Sequence, residues 1–324
     1  MSDIEQTREL PTGEQRFDII RQRGLVYVDK TMFIPPLLRK AGFYFLSRPR
    51  RFGKSLFLST LNAYFEGKKE CFEGLYLEKW EAEQAAQAGR EAWQQYPVLY
   101  LDLSSETFKV LFDLENILNV QLVAWEQVYG RNEVEQTFAS RFKGVIQRAY
   151  EKTGRQVIVL VDEYDKPLLL TLEEGFEDLN NEYRRILKGF FSVFKSNDPY
   201  LRFVFITGVS RFSKVSLFSD MNHLKDISLS EDFSAICGIT EEELKANFQP
   251  EIEALAESEH LTYEATLEKL KQAYDGYLFV DGGEHVYNPQ IQVINATAKK
   301  KTRQPTIIFP EKKREQSLPP FWEG

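Results

Sequence analysis

The sequence predicts an α/β fold: a three-layer sandwich with a mostly parallel central sheet and a C-terminal helical subdomain. Three observations predict it. Short apolar runs rich in aromatic and β-branched residues recur at 43–47, 98–103, 157–161 and 201–207. They are apolar almost throughout rather than alternating, as strands covered on both faces are. Between them lie stretches with apolar residues three and four apart, long enough for crossover helices, and such connections make strands parallel.

The elements follow in order. Phe17, Ile19 and Ile20 open a short lead-in, LVYVDK after Gly24 reads as strand-like, and Thr31 to Arg39 as a helix interrupted by Pro35 and Pro36. After the first strand, Leu56, Phe57, Leu58, Leu61 and Phe65 define a helix from about Lys54 to Glu66, which Gly67 ends. Residues 68–95 are charged and rich in Gln and Ala, hence helical and peripheral, and Pro97 opens the second strand. Apolar spacing predicts helices over 111–129 and 133–152, with Gly154 breaking the second. VIVLV at 157–161 is the central strand, 178–195 a helix with an aromatic end, LRFVFIT at 201–207 a core strand and KDISLS at 225–230 a fifth. From Thr240, which with Glu243 makes a capping box, the chain reads as helical to Tyr274, and Gly276 terminates it.

Composition narrows the function. The chain has 324 residues, 43% hydrophobic and 14% aromatic, enough for a sizeable core. Its net charge of −8 excludes a molecule that is basic overall and binds nucleic acid by charge, while a local basic groove stays open. Cys71 and Cys237 are far apart, and His223, His260 and His285 are scattered, so no zinc site or triad starts from them. The first residues, MSDIEQTREL, have neither a basic start nor an apolar core, and no run of about 18 apolar residues occurs. The expectation is a cytoplasmic protein without a membrane partner.

The chemistry gathers at Phe43–Ser55, FYFLSRPRRFGKS, an apolar strand feeding a basic loop that ends in Gly53, Lys54 and Ser55. A phosphate-binding loop needs backbone N–H groups facing the phosphates, a Gly at close approach, a Lys on the β- and γ-phosphates and a hydroxyl on Mg²⁺. The full spacing G-x-x-x-x-G-K-[ST] would put Gly at 48, where Arg48 stands, and Pro49 lacks an N–H. The competing reading is a basic surface turn before an amphipathic helix. VIVLVDEYDKP weighs against it by supplying an acidic partner at the end of another strand. Asp162 would orient Mg²⁺, and Glu163 would serve as base or positioner for water. LRFVFIT runs into GVSRFSK, which brings Thr207, Ser210, Arg211 and Lys214 to the same sheet edge. Thr207 or Ser210 could polarise the water and Arg211 neutralise the γ-phosphate, against the plainer reading of an ordinary basic loop.

YVDKT at 27–31, RPRRFGKSLFLSTL at 48–61, FEGLYL at 72–77, YPVLYLDLS at 96–104, LVDEYDKP at 160–167, ITGVSRFSKVSLFSDMNHL at 206–224, YDGYLF and VYNP together resemble the prokaryotic AAA-ATPase-like family over about residues 8–289. In that family a P-loop ATPase domain is usually followed by a PD-(D/E)XK nuclease-like domain. The resemblance implies a P-loop NTPase core with an additional strand and a helical lid, and ATP and Mg²⁺ as cofactors. It implies that RPRRFGKS, with Arg48 in place of the first Gly, is the family's loop, and that Arg50 and Arg51 supply phosphate or partner contacts. The site expected from the residues then has Arg50, Arg51, Phe52, Gly53, Lys54, Ser55 and Leu56 around the nucleotide, Ser55 and Asp162 on the metal, and Glu163, Thr207 and Arg211 catalytic. The implied division is a lead-in at 1–42, a P-loop ATPase core at 43–235, a helical lid at 236–289 and a basic, disordered tail at 290–324. That tail carries seven Lys or Arg between Lys299 and Arg314 and departs from the family after VYNP, as an out-of-frame, truncated end would. Three readings of function stand: Mg²⁺-dependent ATP hydrolysis driving a conformational change, a nucleotide-controlled interaction module, or an inactive remnant of an ATPase-nuclease protein. A homo-oligomer, a protein partner and nucleic acid stay open.

Overall fold

The structure is a computed structural model and describes residues 9–289 apart from 12, 40, 41, 105, 106, 212–216, 219, 220, 222 and 275. The basic tail and Lys214 lie outside the described residues.

Five strands form one sheet in the order β2-β3-β4-β1-β5: β1 Gly42–Ser47, β2 Val98–Asp102, β3 Val157–Asp162, β4 Leu201–Gly208 and β5 Leu224–Asp226. Every pairing is parallel, so all carboxyl ends meet at one edge: Ser47 beside Gly208, and Asp102 beside Asp162. The strand that feeds the basic loop and the strand that ends in Asp162 are not neighbours, because β4 runs between them.

Two apolar layers cover the sheet, and the pleat sorts residues between them. Val157, Val159 and Val161 face a cluster with α5 (Leu111–Tyr129), α6 (Phe138–Thr153) and α8 (Glu177–Ser196). Ile158 and Leu160 face the opposite cluster, with α3 (Lys54–Phe65) and the elements before β1, α1 (Phe17–Gln22) and α2 (Ile34–Arg39). All of β3 is buried, and at about 1.5–3 kcal/mol per buried Val, Ile or Leu its five apolar side chains are a principal support of the fold. On α8, Tyr183, Leu187, Phe190 and Phe194 recur every three or four residues, which keeps one helical face on the sheet. Of the stretch expected to be helical over 68–95, only α4 (Tyr76–Ala88) is an α-helix, and the segment is not peripheral, since Cys71, Phe72, Leu75 and Leu77 join the cluster on the α3 face. The four-residue α7 (Lys166–Leu169) follows β3.

A third cluster joins α9 (Glu241–Ser258) and α10 (Tyr263–Tyr274) to Val26, Ile239 and Tyr287. Thr240 caps α9 with Glu243 as its reciprocal partner. Pro250, which cannot donate to the preceding turn, coincides with a kink at Phe248. The chain then returns through an antiparallel bridge between Tyr277 and Val286.

Four local expectations are corrected. LVYVDK is not a strand; its Val26 N–H bonds the Glu9 carbonyl instead. The helix expected over 31–39 is a 3-10 turn at Thr31–Phe33 running into α2 at Ile34, and Pro35 and Pro36 sit in the first turn of α2, where the missing N–H has no intrahelical partner to lose. The helix expected from 133 starts at Phe138, because the Thr137 and Ser140 side chains cap it there. The fifth strand spans 224–226 rather than 225–230, since the Ser230 N–H turns back to the Ile227 carbonyl.

Candidate nucleotide site

At the carboxyl edge the chain leaves β1 and winds through Arg48–Gly53 into α3. Gly53 is the N-cap with φ of 91°, a left-handed conformation that costs glycine little. Lys54 is the first helical residue and is buried; its Nζ donates to the carbonyls of Arg48 at 2.9 Å and Pro49 at 3.0 Å. The ammonium therefore closes the loop on itself at the helix end that attracts anions. Burial pulls the Lys54 pKa down, opposed by Cys237, Asp162, Glu163 and Asp165 nearby.

Two cavities meet at this loop. One, of about 450 Å³, lies between loop residues 50–57 and an apolar wall that includes Val26, Tyr27, Ile236 and Ile239. The other, of about 700 Å³, runs past Ser55 to Tyr100, Asp102, Asp162 and Glu163. Gln15, Arg50, Ser55 and Glu163 line both. Glu163 has φ of 48°, unusual for a residue with a side chain, and this turn carries it off the β3 line to where the cavities join.

Asp162 is buried and accepts from the Thr207 hydroxyl and from the Glu163 N–H at 3.0 Å. Its carboxylate and the Ser55 hydroxyl share the larger cavity. A Mg²⁺ ion that keeps water and phosphate oxygens as its other ligands takes one or two hard oxygen donors from the protein, and these two fit that need.

The remaining predicted residues fall elsewhere. Thr207 is fully buried, its hydroxyl engaged by Asp162, and Arg211 Nε pairs with Asp226 at 3.1 Å; neither lines either cavity. Arg51 and Leu56 line the smaller cavity only. Phe52 also lines the smaller cavity, and its ring is buried edge-on against Tyr277 and Phe279, so the ring serves packing.

Sequence reasoning missed three groups. Asp102 ends an apolar run just as Asp162 does, and that shared pattern was the signal. Tyr100, two residues earlier on the same pleat face, is held protonated by burial and by Asp162 and Asp102. Asp165 accepts from the N–H groups of Val209 at 3.1 Å and Ser210 at 2.5 Å, fixing the loop after β4, and burial pushes its pKa up to about 6.

A strand, a loop closing in Gly-Lys-Ser and a helix, with an acid-ended strand two positions away across β4 in an all-parallel sheet, define a P-loop NTPase-like sandwich. The chain belongs to the AAA-ATPase-like family: the sequence model for that family, described as predicted AAA-ATPase, matches residues 11–218. It is 39% identical over 285 residues to an uncharacterized protein in the vnfD 5' region of Azotobacter chroococcum mcd 1. That similarity covers 87% of this chain and 50% of the relative, so the chain spans about half the length of the curated relative it matches. Among the described residues, no helix is long and apolar enough to cross a membrane.

Proposed function

We propose that the chain binds ATP with Mg²⁺ in these cavities and hydrolyses it. The observation that carries the reading is that Ser55, Asp162 and Glu163 line one cavity beside Lys54 and the amino end of α3. The apolar wall of the smaller cavity takes the base, and the loop N–H groups and Lys54 take the phosphates. Ser55 and Asp162 hold the metal, which when bound would neutralise charge on the phosphates. Glu163 orients the attacking water and accepts its proton. Thr207 acts through Asp162, as a positioning residue rather than a group that meets water.

The test is Mg²⁺-ATP binding and turnover by wild type, Lys54→Ala and Glu163→Gln. Wild type binds and turns over, Lys54→Ala loses binding, and Glu163→Gln binds without turnover. A wild type that fails to bind ATP at millimolar concentration refutes the reading.

A second reading, a nucleotide-controlled interaction module, draws support from the contacts that fasten the loop to the segment after α10. There a slow rate that a protein partner stimulates is the expected behaviour.

A further inference from the structure

Position 48, where a full phosphate loop would carry its first Gly, holds an arginine that lines neither cavity. Arg48 is 1% exposed. Its backbone carbonyl accepts the Lys54 ammonium at 2.9 Å, and its backbone N–H donates to the Gly208 carbonyl at 3.2 Å. Its guanidinium donates to the carbonyls of Ser47 at 3.0 Å, Ser228 at 2.7 Å and Phe233 at 3.0 Å. The guanidinium carbon lies 4.1 Å from the centroid of the Phe279 ring.

The described residues place no carboxylate at ion-pair distance from this buried cation, and its Nε has no hydrogen-bond partner among them. Carbonyl dipoles and an aromatic face hold it instead. Phe52, four residues on, reaches the same place: its ring meets Tyr277 at 4.7 Å and Phe279 at 5.6 Å, and its carbonyl accepts the Gly238 N–H at 3.0 Å. Two residues of the loop are thus anchored in one short segment, 277–287, that the Tyr277–Val286 bridge closes.

We infer that Arg48 is a positioning residue for nucleotide binding that acts through Lys54 and couples the loop to the 277–287 segment. This rests on the Mg²⁺-ATP reading above. One end of Arg48 presents the carbonyl that holds the Lys54 ammonium. The other end is embedded against Phe279, Ser228 and Phe233. Phosphate that draws Lys54 away from the Arg48 carbonyl changes the loop at the residue whose side chain holds the segment, so ATP and the placement of 277–287 bias one equilibrium. Linkage makes the effect reciprocal: loosening the segment weakens ATP binding.

The experiment uses the full chain as wild type, Arg48→Gln, Arg48→Lys and Phe279→Leu. Calorimetry measures Mg²⁺-ATP affinity, hydrogen exchange follows the amides of 277–287 with and without Mg²⁺-ATP, and circular dichroism confirms folding. In wild type, ATP slows exchange across 277–287. Arg48→Gln binds ATP about tenfold or more weakly and loses that slowing, and Arg48→Lys, which keeps the charge, regains part of both. Phe279→Leu, which alters no loop residue, raises exchange in 277–287 and weakens ATP by about fivefold, with turnover at saturation little changed.

If Arg48→Gln fails to fold, Phe279→Leu decides the matter. Folded variants that match wild type in ATP affinity, or a wild-type segment indifferent to ATP, overturn the coupling and leave the ATP reading standing. A wild type that does not bind ATP overturns both.

Discussion

The Thr207 hydroxyl donates to Asp162 Oδ1 across the boundary between β3 and β4, and both residues are buried. The interposed strand thus reaches the proposed metal-binding carboxylate from the side, fixing which oxygen stays free. Thr207→Val keeps the shape and removes the bond. It should cost about 1.5–3 kcal/mol, as for hydrogen bonds to charged groups, and raise the Mg²⁺ concentration needed for half-maximal ATP binding. Thr207→Ser should restore both. An unchanged Mg²⁺ requirement in a folded valine variant would remove Thr207 from the site.

Gly208, the next residue, has no room for a side chain. An added Cβ would lie 2.4 Å from Tyr164 Cε1 and 2.7 Å from Asp165 Oδ1. Gly208→Ala should therefore lower stability to urea by about 1–3 kcal/mol through overpacking. Because the displaced atoms belong to the residues that hold Ser210, exchange at the Val209 and Ser210 amides should rise more than exchange in α5.

The apolar runs of β1, β3 and β4 and the acid ending β3 could be read from the sequence, because a strand buried on both faces leaves an unbroken signature; β2, at the sheet edge and half-buried on one face, was legible from its apolar run alone. β5 could not be bounded: it has three residues, and its pairing with β1 stops where Ser228 turns its hydroxyl onto the Ser47 N–H. Arg48 was hidden for a different reason. RPRR reads as an exposed basic turn, and what buries its first arginine, Ser228, Phe233 and Phe279, lies about 180 or more residues away, where no local periodicity reaches. Thr207 and Arg211 were correctly brought to the carboxyl edge by topology, but topology does not say that Thr207 spends its hydroxyl on Asp162 and Arg211 its charge on Asp226.

Asp165 gives a pH dependence opposite to that of an ordinary paired carboxylate. Its pKa, pushed up to about 6 chiefly by burial, lies above the unfolded value of about 3.9, so the folded state binds its proton more tightly. Ionising it at neutral pH costs stability, and the cost is relieved as pH falls through 6 toward 4. Asp165→Asn does not titrate. The stability of wild type relative to Asp165→Asn should therefore rise between pH 7.5 and pH 5, measured by urea unfolding at both. A difference that falls over the same interval contradicts the assignment.

Lys30 and Glu243 join the segment before β1 to the first turn of α9. Lys30 Nζ lies 2.6 and 2.7 Å from the two carboxylate oxygens and 2.8 Å from the Ala235 carbonyl, and it lines the smaller cavity. Glu243 also accepts from the Thr240 N–H at 2.8 Å, so one carboxylate both caps the helix and neutralises a buried cation. Glu243→Gln separates the two roles, since glutamine still serves a capping box but leaves Lys30 charged and unpaired. The expected loss is about 3 kcal/mol, the low end for breaking a buried pair, because Glu243 keeps some exposure. Lys30→Met in the same chain should recover most of it, since desolvation already pulls the Lys30 pKa down and removing the charge removes that penalty. A double-mutant cycle by urea unfolding measures the coupling directly. Should the double variant be no more stable than Glu243→Gln alone, the loss belongs to the cap and not to the ion pair.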